Sequence, residues 1–184
     1  MSGSIHSPAI DSRFIGKADP YVLLRSYAKE AKIKSKAYGY SEGYYRWVYK
    51  VFTYPTVLIS AVSSVFAMLH VNEHVLLGLS LTMLLLTGYN STISPKDKEQ
   101  RANQIKTEFA EISRNVKQFL YENNKSFEEI KAYSETINEL MNVWNSLSPP
   151  LQDKYLNLAR TECESRTRNH DNLKKTKKLD ITIQ

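Results

Sequence analysis

The 184-residue chain has one cysteine, Cys163, and only six glycines and six prolines. A lone thiol cannot close an internal disulfide, which excludes a disulfide-stapled fold. So few turn-forming residues argue against an all-β fold and favour long helices. No Gly-rich phosphate loop, nucleophile elbow or Cys/His zinc spacing occurs. The N-terminal stretch "MSGSIHSPAIDSRFIGKADP" lacks a continuous apolar core, so no signal peptide is expected. Glycine stands at position 3 rather than 2, which breaks the myristoylation pattern. These absences point to a non-enzymatic protein with no catalytic residue, cofactor or metal.

Charge is also missing from one long segment. The net charge is +6 and the pI about 9.2, yet residues 51–93 hold a single charged side chain, Glu73. The mean hydropathy of −0.43 therefore averages two unlike regions. Val51–Leu69 and Val75–Ile93 are each 19 residues without a charge. As helices each spans roughly 28 Å, close to the ~30 Å hydrocarbon layer of a bilayer. The stretch "VLLGLSLTMLLL" is apolar on every side, whereas a soluble surface helix carries a polar stripe. The expected fold is all-α: an integral membrane hairpin of two transmembrane helices with a cytoplasmic helical hairpin or coiled-coil bundle. The other reading of the same runs is the buried centre of a soluble helical bundle. Pro55 either kinks the first run or begins it, with Thr53 as cap.

The flanks suit a membrane. Tyr44, Tyr45, Trp47, Tyr49 and Tyr54 crowd the entry to the first run, and Tyr89 marks the end of the second. Rings with a polar edge favour the membrane–water interface. Arg25, Lys29, Lys32, Lys34, Lys36, Arg46 and Lys50 precede the runs, and Lys96, Lys98, Arg101 and Lys106 follow them. The connector has neither Lys nor Arg, which predicts cytoplasmic termini. An anionic leaflet is the expected partner surface.

Small residues recur four apart: Ser60 and Ser64, Ser63 and Ala67, Gly78 and Thr82, Gly88 and Thr92. That spacing lets helices approach closely in lipid. Ser60, Ser63, Ser64, Gly78, Ser80, Thr87, Gly88 and Ser91 are candidates for packing within the hairpin, or for a wet lumen in a homo-oligomer. No charge lies mid-span, which argues against a proton pump or ion-coupled transporter.

Outside the spans, residues 1–19 read as disordered, and 20–50 as a basic, Tyr-rich juxtamembrane helix bent near Gly39 and Gly43. Residues 94–165 read as a helical hairpin and 166–184 as a loose basic tail. Ser94, Pro95 and Asp97 make a capping box and helix start. Ala102, Ile105, Phe109, Ile112, Val116 and Phe119 follow in alternating steps of 3 and 4, the heptad spacing. Asn123-Asn124 breaks the run, and Ser126 with Glu129 makes a second capping box. Ile130, Tyr133, Ile137, Leu140, Trp144 and Leu147 repeat the alternation. Two such stripes predict an antiparallel pair held by Ile105, Phe109, Ile112, Val116, Ile130, Tyr133, Ile137, Leu140 and Trp144. Ser148-Pro149-Pro150 ends it, and a short last helix is expected over Leu151–Thr161.

The pentad "HVNEH", His70 to His74, matches the inverted zinc-protease signature H-x-x-E-H. That chemistry needs both histidines on one helix face and a third ligand. The pentad sits between the two apolar runs, where its composition suits an exposed turn. Glu108, Glu111, Glu128 and Glu129 fall on solvated helix faces by period. The basic tail "NLKKTKKLD" lacks the interleaved aromatics that stack bases, which argues against nucleic acid as a partner. A soluble, basic, nucleic-acid-binding helical protein is the corresponding alternative.

The segment "YYRWVYKVFTYPTVLISAVSSV" resembles the core of SLATT-type membrane proteins, through Tyr54-Pro55, Ile59-Ser60 and Ser63-Ser64. The resemblance covers about residues 20–120. It implies a basic Tyr-rich helix, a Pro-led first span, a tight turn, a second span and a helical cytoplasmic domain. With no sensor domain attached, the chain is more similar to the stand-alone versions of large DNA viruses. That implies an oligomeric anchor or scaffold, such as a minor capsid-associated component of a virion's internal membrane. The bacterial versions imply a pore-forming effector instead.

Overall fold

The computed structural model describes residues 19–69, 72–122 and 125–182. The expectations for residues 1–18, for His70 and Val71, and for the Asn123-Asn124 break lie outside the described residues. Among the described residues every regular element is helical: α1 Pro20–Met68, α2 Glu73–Ile93, α3 Pro95–Tyr121, α4 Phe127–Leu147 and α5 Asp153–Thr182. The all-α expectation holds.

Helix α1 is 49 residues long, about 70 Å. It runs through Gly39, Gly43 and Pro55 without a break, so Pro55 lies inside the helix and does not begin it. Ala, Lys, Leu and Arg throughout the first 30 residues favour the helix strongly enough to carry it past two glycines. Helix α5 likewise overturns the expectation of a short helix and a loose tail. No Gly or Pro interrupts the chain from Asp153 to Thr182, and the helix continues over all 30 residues.

The chain forms two compact units. Among the described residues the first combines 19–32 with Phe109–Pro149. Its core is Leu24, Tyr27, Ala28 and Ala31 of α1, Phe109, Ile112 and Val116 of α3, and Ile130, Ile137 and Met141 of α4. The alanines let α3 come close enough for Ser113 Oγ to donate to the Ala28 carbonyl at 2.9 Å. Tyr27 OH donates to Asn138 Oδ1 at 3.1 Å, and burial pushes its phenol pKa up, with Glu30 adding to the shift. Phe119 and Tyr133 stack with centroids 3.9 Å apart; burial first, then Glu122, raises the Tyr133 phenol. The capping box at α4 forms as expected: Ser126 N–H donates to Glu129 Oε2 at 2.8 Å and Glu129 N–H to Ser126 Oγ at 3.2 Å.

The α4 stripe is rotated from its expected line. Its buried residues are Ile130, Ser134, Ile137 and Met141. Leu140 is 40% exposed, while Tyr133 and Trp144 are half-buried. At about 100° per residue, Leu140 stands some 80° from Ile130, and Met141 only about 20°. The segment 20–32, read as a basic arm, supplies a third wall of this unit.

The second unit combines Ile33–Glu108 with the chain from Pro150. Its buried residues include Ala37, Tyr38, Val48, Ala102, Ile105, Ala159 and Cys163. Ser35 Oγ donates to the Lys106 carbonyl at 2.9 Å. The buried Glu42 carboxylate receives Arg46 and, at 2.8 Å, Lys106. Arg46 Nε also donates to Glu99 at 2.8 Å. Glu162 holds Lys36 at 2.8 Å and Arg166 at 2.9 Å.

Ser94 alone separates α2 from α3. It adopts φ 44°, ψ 57°, the left-handed region, and closes α2 by donating its N–H to the Asn90 carbonyl. Its hydroxyl donates back to the Ser91 carbonyl at 2.9 Å. The side chain therefore serves the end of α2, and not the start of α3 as expected.

Candidate membrane interface

The most apolar part of the chain is the least buried. From Tyr49 to Ser94 no described residue is buried. Leu58 is 67% exposed, Leu77 69%, Leu84 69% and Met68 79%, whereas Phe109 and Leu24 are at 0%. An 18-residue window of α1 reaches a mean hydropathy of 1.6, and one within Glu73–Tyr121 reaches 1.3; neither window has any buried share. Both helices are long and apolar enough to cross a membrane. A leucine denied burial forfeits about 1.5–3 kcal/mol. Leu58, Leu69, Leu77, Leu81, Leu84 and Leu85 are all exposed, which in water forfeits on the order of 10 kcal/mol, as much as a domain's whole net stability.

A weaker stripe runs along each helix. Phe52, Thr56, Ile59, Ser63 and Phe66 of α1 are half-buried, as are Leu76, Leu79, Met83, Leu86, Asn90 and Ile93 of α2. Both sets step by 3 and 4. The rings of Phe52 and Tyr89 meet with centroids 4.5 Å apart. Within this shielded zone Thr53 Oγ1, Ser63 Oγ and Asn90 Oδ1 have no hydrogen-bond partner.

Of the small residues expected to pack or to line a lumen, Ser60 and Ser63 are half-buried. Ser64, Gly78, Ser80, Thr87, Gly88 and Ser91 are exposed. A Cβ added at Gly78 or Gly88 would meet nothing within 4 Å. The four-residue spacing also has a local use. Ser64 donates to the Ser60 carbonyl at 2.9 Å, Thr82 to Gly78 at 2.9 Å and Thr92 to Gly88 at 2.8 Å. Each hydroxyl is satisfied inside its own helix, the condition for placing it in hydrocarbon. Thr56 does the same to the Phe52 carbonyl at 2.7 Å.

At the far end of α2, Asn72 caps the helix by accepting from His74 N–H at 3.0 Å. Asn72 itself is non-helical, at φ −45° and ψ 129°. The H-x-x-E-H pentad is therefore not carried on one continuous helix.

The expected interface aromatics lie at or near the ends of this segment. Tyr44 is 43% exposed, Trp47 62%, Tyr54 66% and Tyr89 49%; Tyr45 and Tyr49 are half-buried. Tyr44 and Tyr45 pack edge to face, centroids 5.4 Å apart. Lys154 Nζ lies 5.7 Å from the Tyr44 centroid and Lys98 Nζ 5.9 Å from that of Tyr45. Lys154 was invisible as part of this cluster in the sequence, because α5 lies about a hundred residues from Tyr44.

No known protein family, curated protein or solved structure matches the chain.

Geometry and charge must then define the site. Lys36 and Tyr40 hold the Glu162 carboxyl down to about pKa 2, well below the usual carboxylate range, with Lys36 contributing most. The same hydrogen bond raises the Tyr40 phenol. The Glu99 carboxylate raises the Arg46 guanidinium, with Glu42 adding to it. These pairs fasten α1 to α3 and α5 beside the apolar segment.

Proposed function

We propose that this chain is a non-enzymatic membrane protein that crosses a bilayer twice. In this reading the lower part of α1 and α2 form the transmembrane hairpin, with both termini on the cytoplasmic side. The helices outside the membrane then act as an oligomeric anchor or scaffold that docks a partner layer. The single observation that carries the reading is the run of exposed apolar residues between Tyr49 and Ser94. Lipid is the solvent in which that exposure has no cost. The lysines and arginines at both ends of the segment, and their absence from the connector, support the orientation. The resemblance to stand-alone SLATT-type proteins supports a capsid-side partner.

The test is alkaline carbonate extraction of membranes carrying the full chain, followed by sizing in mild detergent. The expected result is a protein that stays in the pellet and sizes as more than one copy. Release into the supernatant overturns the membrane reading; a strictly monomeric membrane protein overturns the scaffold reading alone.

One observation favours a second reading, an oligomeric pore: the shielded but unpartnered oxygens of Thr53, Ser63 and Asn90. Water in an assembled lumen would satisfy them. Dye release from liposomes separates the two, since an anchor releases none at any protein density.

A further inference from the structure

The lysines and arginines of the second unit are not all partnered alike. Lys36 is matched to Glu162, Lys106 to Glu42, and Arg46 to both Glu42 and Glu99. Lys98 and Lys154 are not: among the described residues neither ammonium meets a carboxylate; Lys98 lies over the Tyr45 ring, and Lys154 over the Tyr44 ring at 5.7 Å and that of its own neighbour Tyr155 at 4.8 Å. A ring face engages one side of an ammonium and leaves other N–H donors turned outward. The two rings, Tyr44 and Tyr45, are in contact, so one cation from α3 and one from α5 each lie against the same corner of α1. That corner lies six to seven residues before Val51, about 10 Å along the helix axis. The headgroup layer is about 5–8 Å deep, so this corner stands at its outer edge when the apolar segment occupies the hydrocarbon. Trp47 and Lys50, both exposed, fill the interval.

We propose that Lys98 and Lys154, held on the faces of Tyr45 and Tyr44, form a binding site for the phosphate of an anionic phospholipid headgroup. Two ammoniums match the charge of such a headgroup better than that of a zwitterionic one, whose choline or ethanolamine they repel. The rings fix the ammonium positions before the lipid arrives, which lowers the ordering cost of binding. The proposal rests on the membrane reading and adds to it a lipid class and a site.

The experiment uses the full chain in mild detergent, with lipid binding counted by native mass spectrometry. Phosphatidylglycerol, phosphatidylcholine and inorganic phosphate are the probes. Phosphatidylglycerol is expected to bind most tightly, and phosphate not to compete at equal concentration. Each lysine near a headgroup contributes about fivefold in affinity, so K98A/K154A is expected to weaken phosphatidylglycerol on the order of twentyfold or more. It should leave phosphatidylcholine unchanged. The double variant K117A/K131A, at exposed lysines of the first unit, is expected to bind like wild type, and K98R/K154R to retain binding. Equal binding of the two lipids, equal loss in both double alanine variants, or competition by free phosphate overturns the proposal. In each of those cases the carbonate pellet still reports on the membrane reading independently.

Discussion

Tyr40 and Glu162 stand 122 positions apart in the chain, and the phenol donates to the carboxylate at 2.5 Å. With Lys36 on its other oxygen, at 2.8 Å, Glu162 is the point where α5 is fastened to α1. Its folded pKa, about 2, is below its ordinary 4.5. A depressed carboxyl stabilises the fold fully above the unfolded value and loses that contribution as the pH falls through the folded one. Hydrogen exchange of α5 amides, measured relative to the unfolded chain at the same pH, is therefore expected to stay slow at neutral pH and to show a relative acceleration between about pH 4.5 and pH 2. In E162Q that acceleration should be absent, because α5 starts from the loosened state.

Burial sets opposite expectations for two large apolar residues. Phe109 is at 0% exposure and Leu84 at 69%. F109A should cost about 3–5 kcal/mol through lost transfer and cavity. L84A in detergent should change stability by less than about 0.5 kcal/mol. L84R should leave the first unit folded and impair membrane integration, at a cost of about 2.5–3.5 kcal/mol for a charge at mid-span. Thermal melts and membrane fractionation of the three variants check this.

Ser94 is the one non-glycine residue with positive φ among the described residues. The left-handed region costs a side chain about 1–2 kcal/mol, and glycine nothing. S94G gives up the bond to Ser91, worth about 1 kcal/mol, so its melting temperature should be close to wild type. S94V loses the bond and keeps the strain with a branched Cβ, and should melt clearly lower.

The rotated α4 stripe gives a paired test. M141K places a charge in the first unit's core and should unfold it, whereas L140K, on the exposed side, should be tolerated. Near-ultraviolet circular dichroism of the two proteins separates the outcomes.

These same residues show how far the sequence could be read. The two apolar runs, the Ser126–Glu129 box and the α3 stripe of Ile105, Phe109, Ile112 and Val116 follow from local chemistry, which one sequence contains. The α4 stripe slipped by one position because alternating steps of 3 and 4 fit two adjacent lines equally well, and only packing against α1 chooses Met141. Segment 20–32 was read by its charges; half of its buried apolar face, Ala28 and Ala31 beside Leu24 and Tyr27, is alanine, which carries little hydropathy signal. The spacing of Ser and Thr in the spans was legible, but its use was not, since bonding to one's own helix and approaching another ask for the same four-residue step. The Tyr40–Glu162 and Tyr44–Lys154 contacts are set by where α5 comes to lie, which no local pattern encodes.

The decisive measurement is the environment of the exposed apolar residues themselves. With Cys163 replaced by Ser, single cysteines at Leu58, Leu84 and, as an aqueous control, Arg114 can carry a nitroxide in liposome-reconstituted protein. Electron paramagnetic resonance then compares relaxation by oxygen, which concentrates in lipid, with relaxation by a water-soluble nickel chelate. Lipid contact predicts strong oxygen and negligible nickel accessibility at 58 and 84, and the reverse at 114. Nickel accessibility at 58 and 84 equal to that at 114 would contradict the membrane assignment outright.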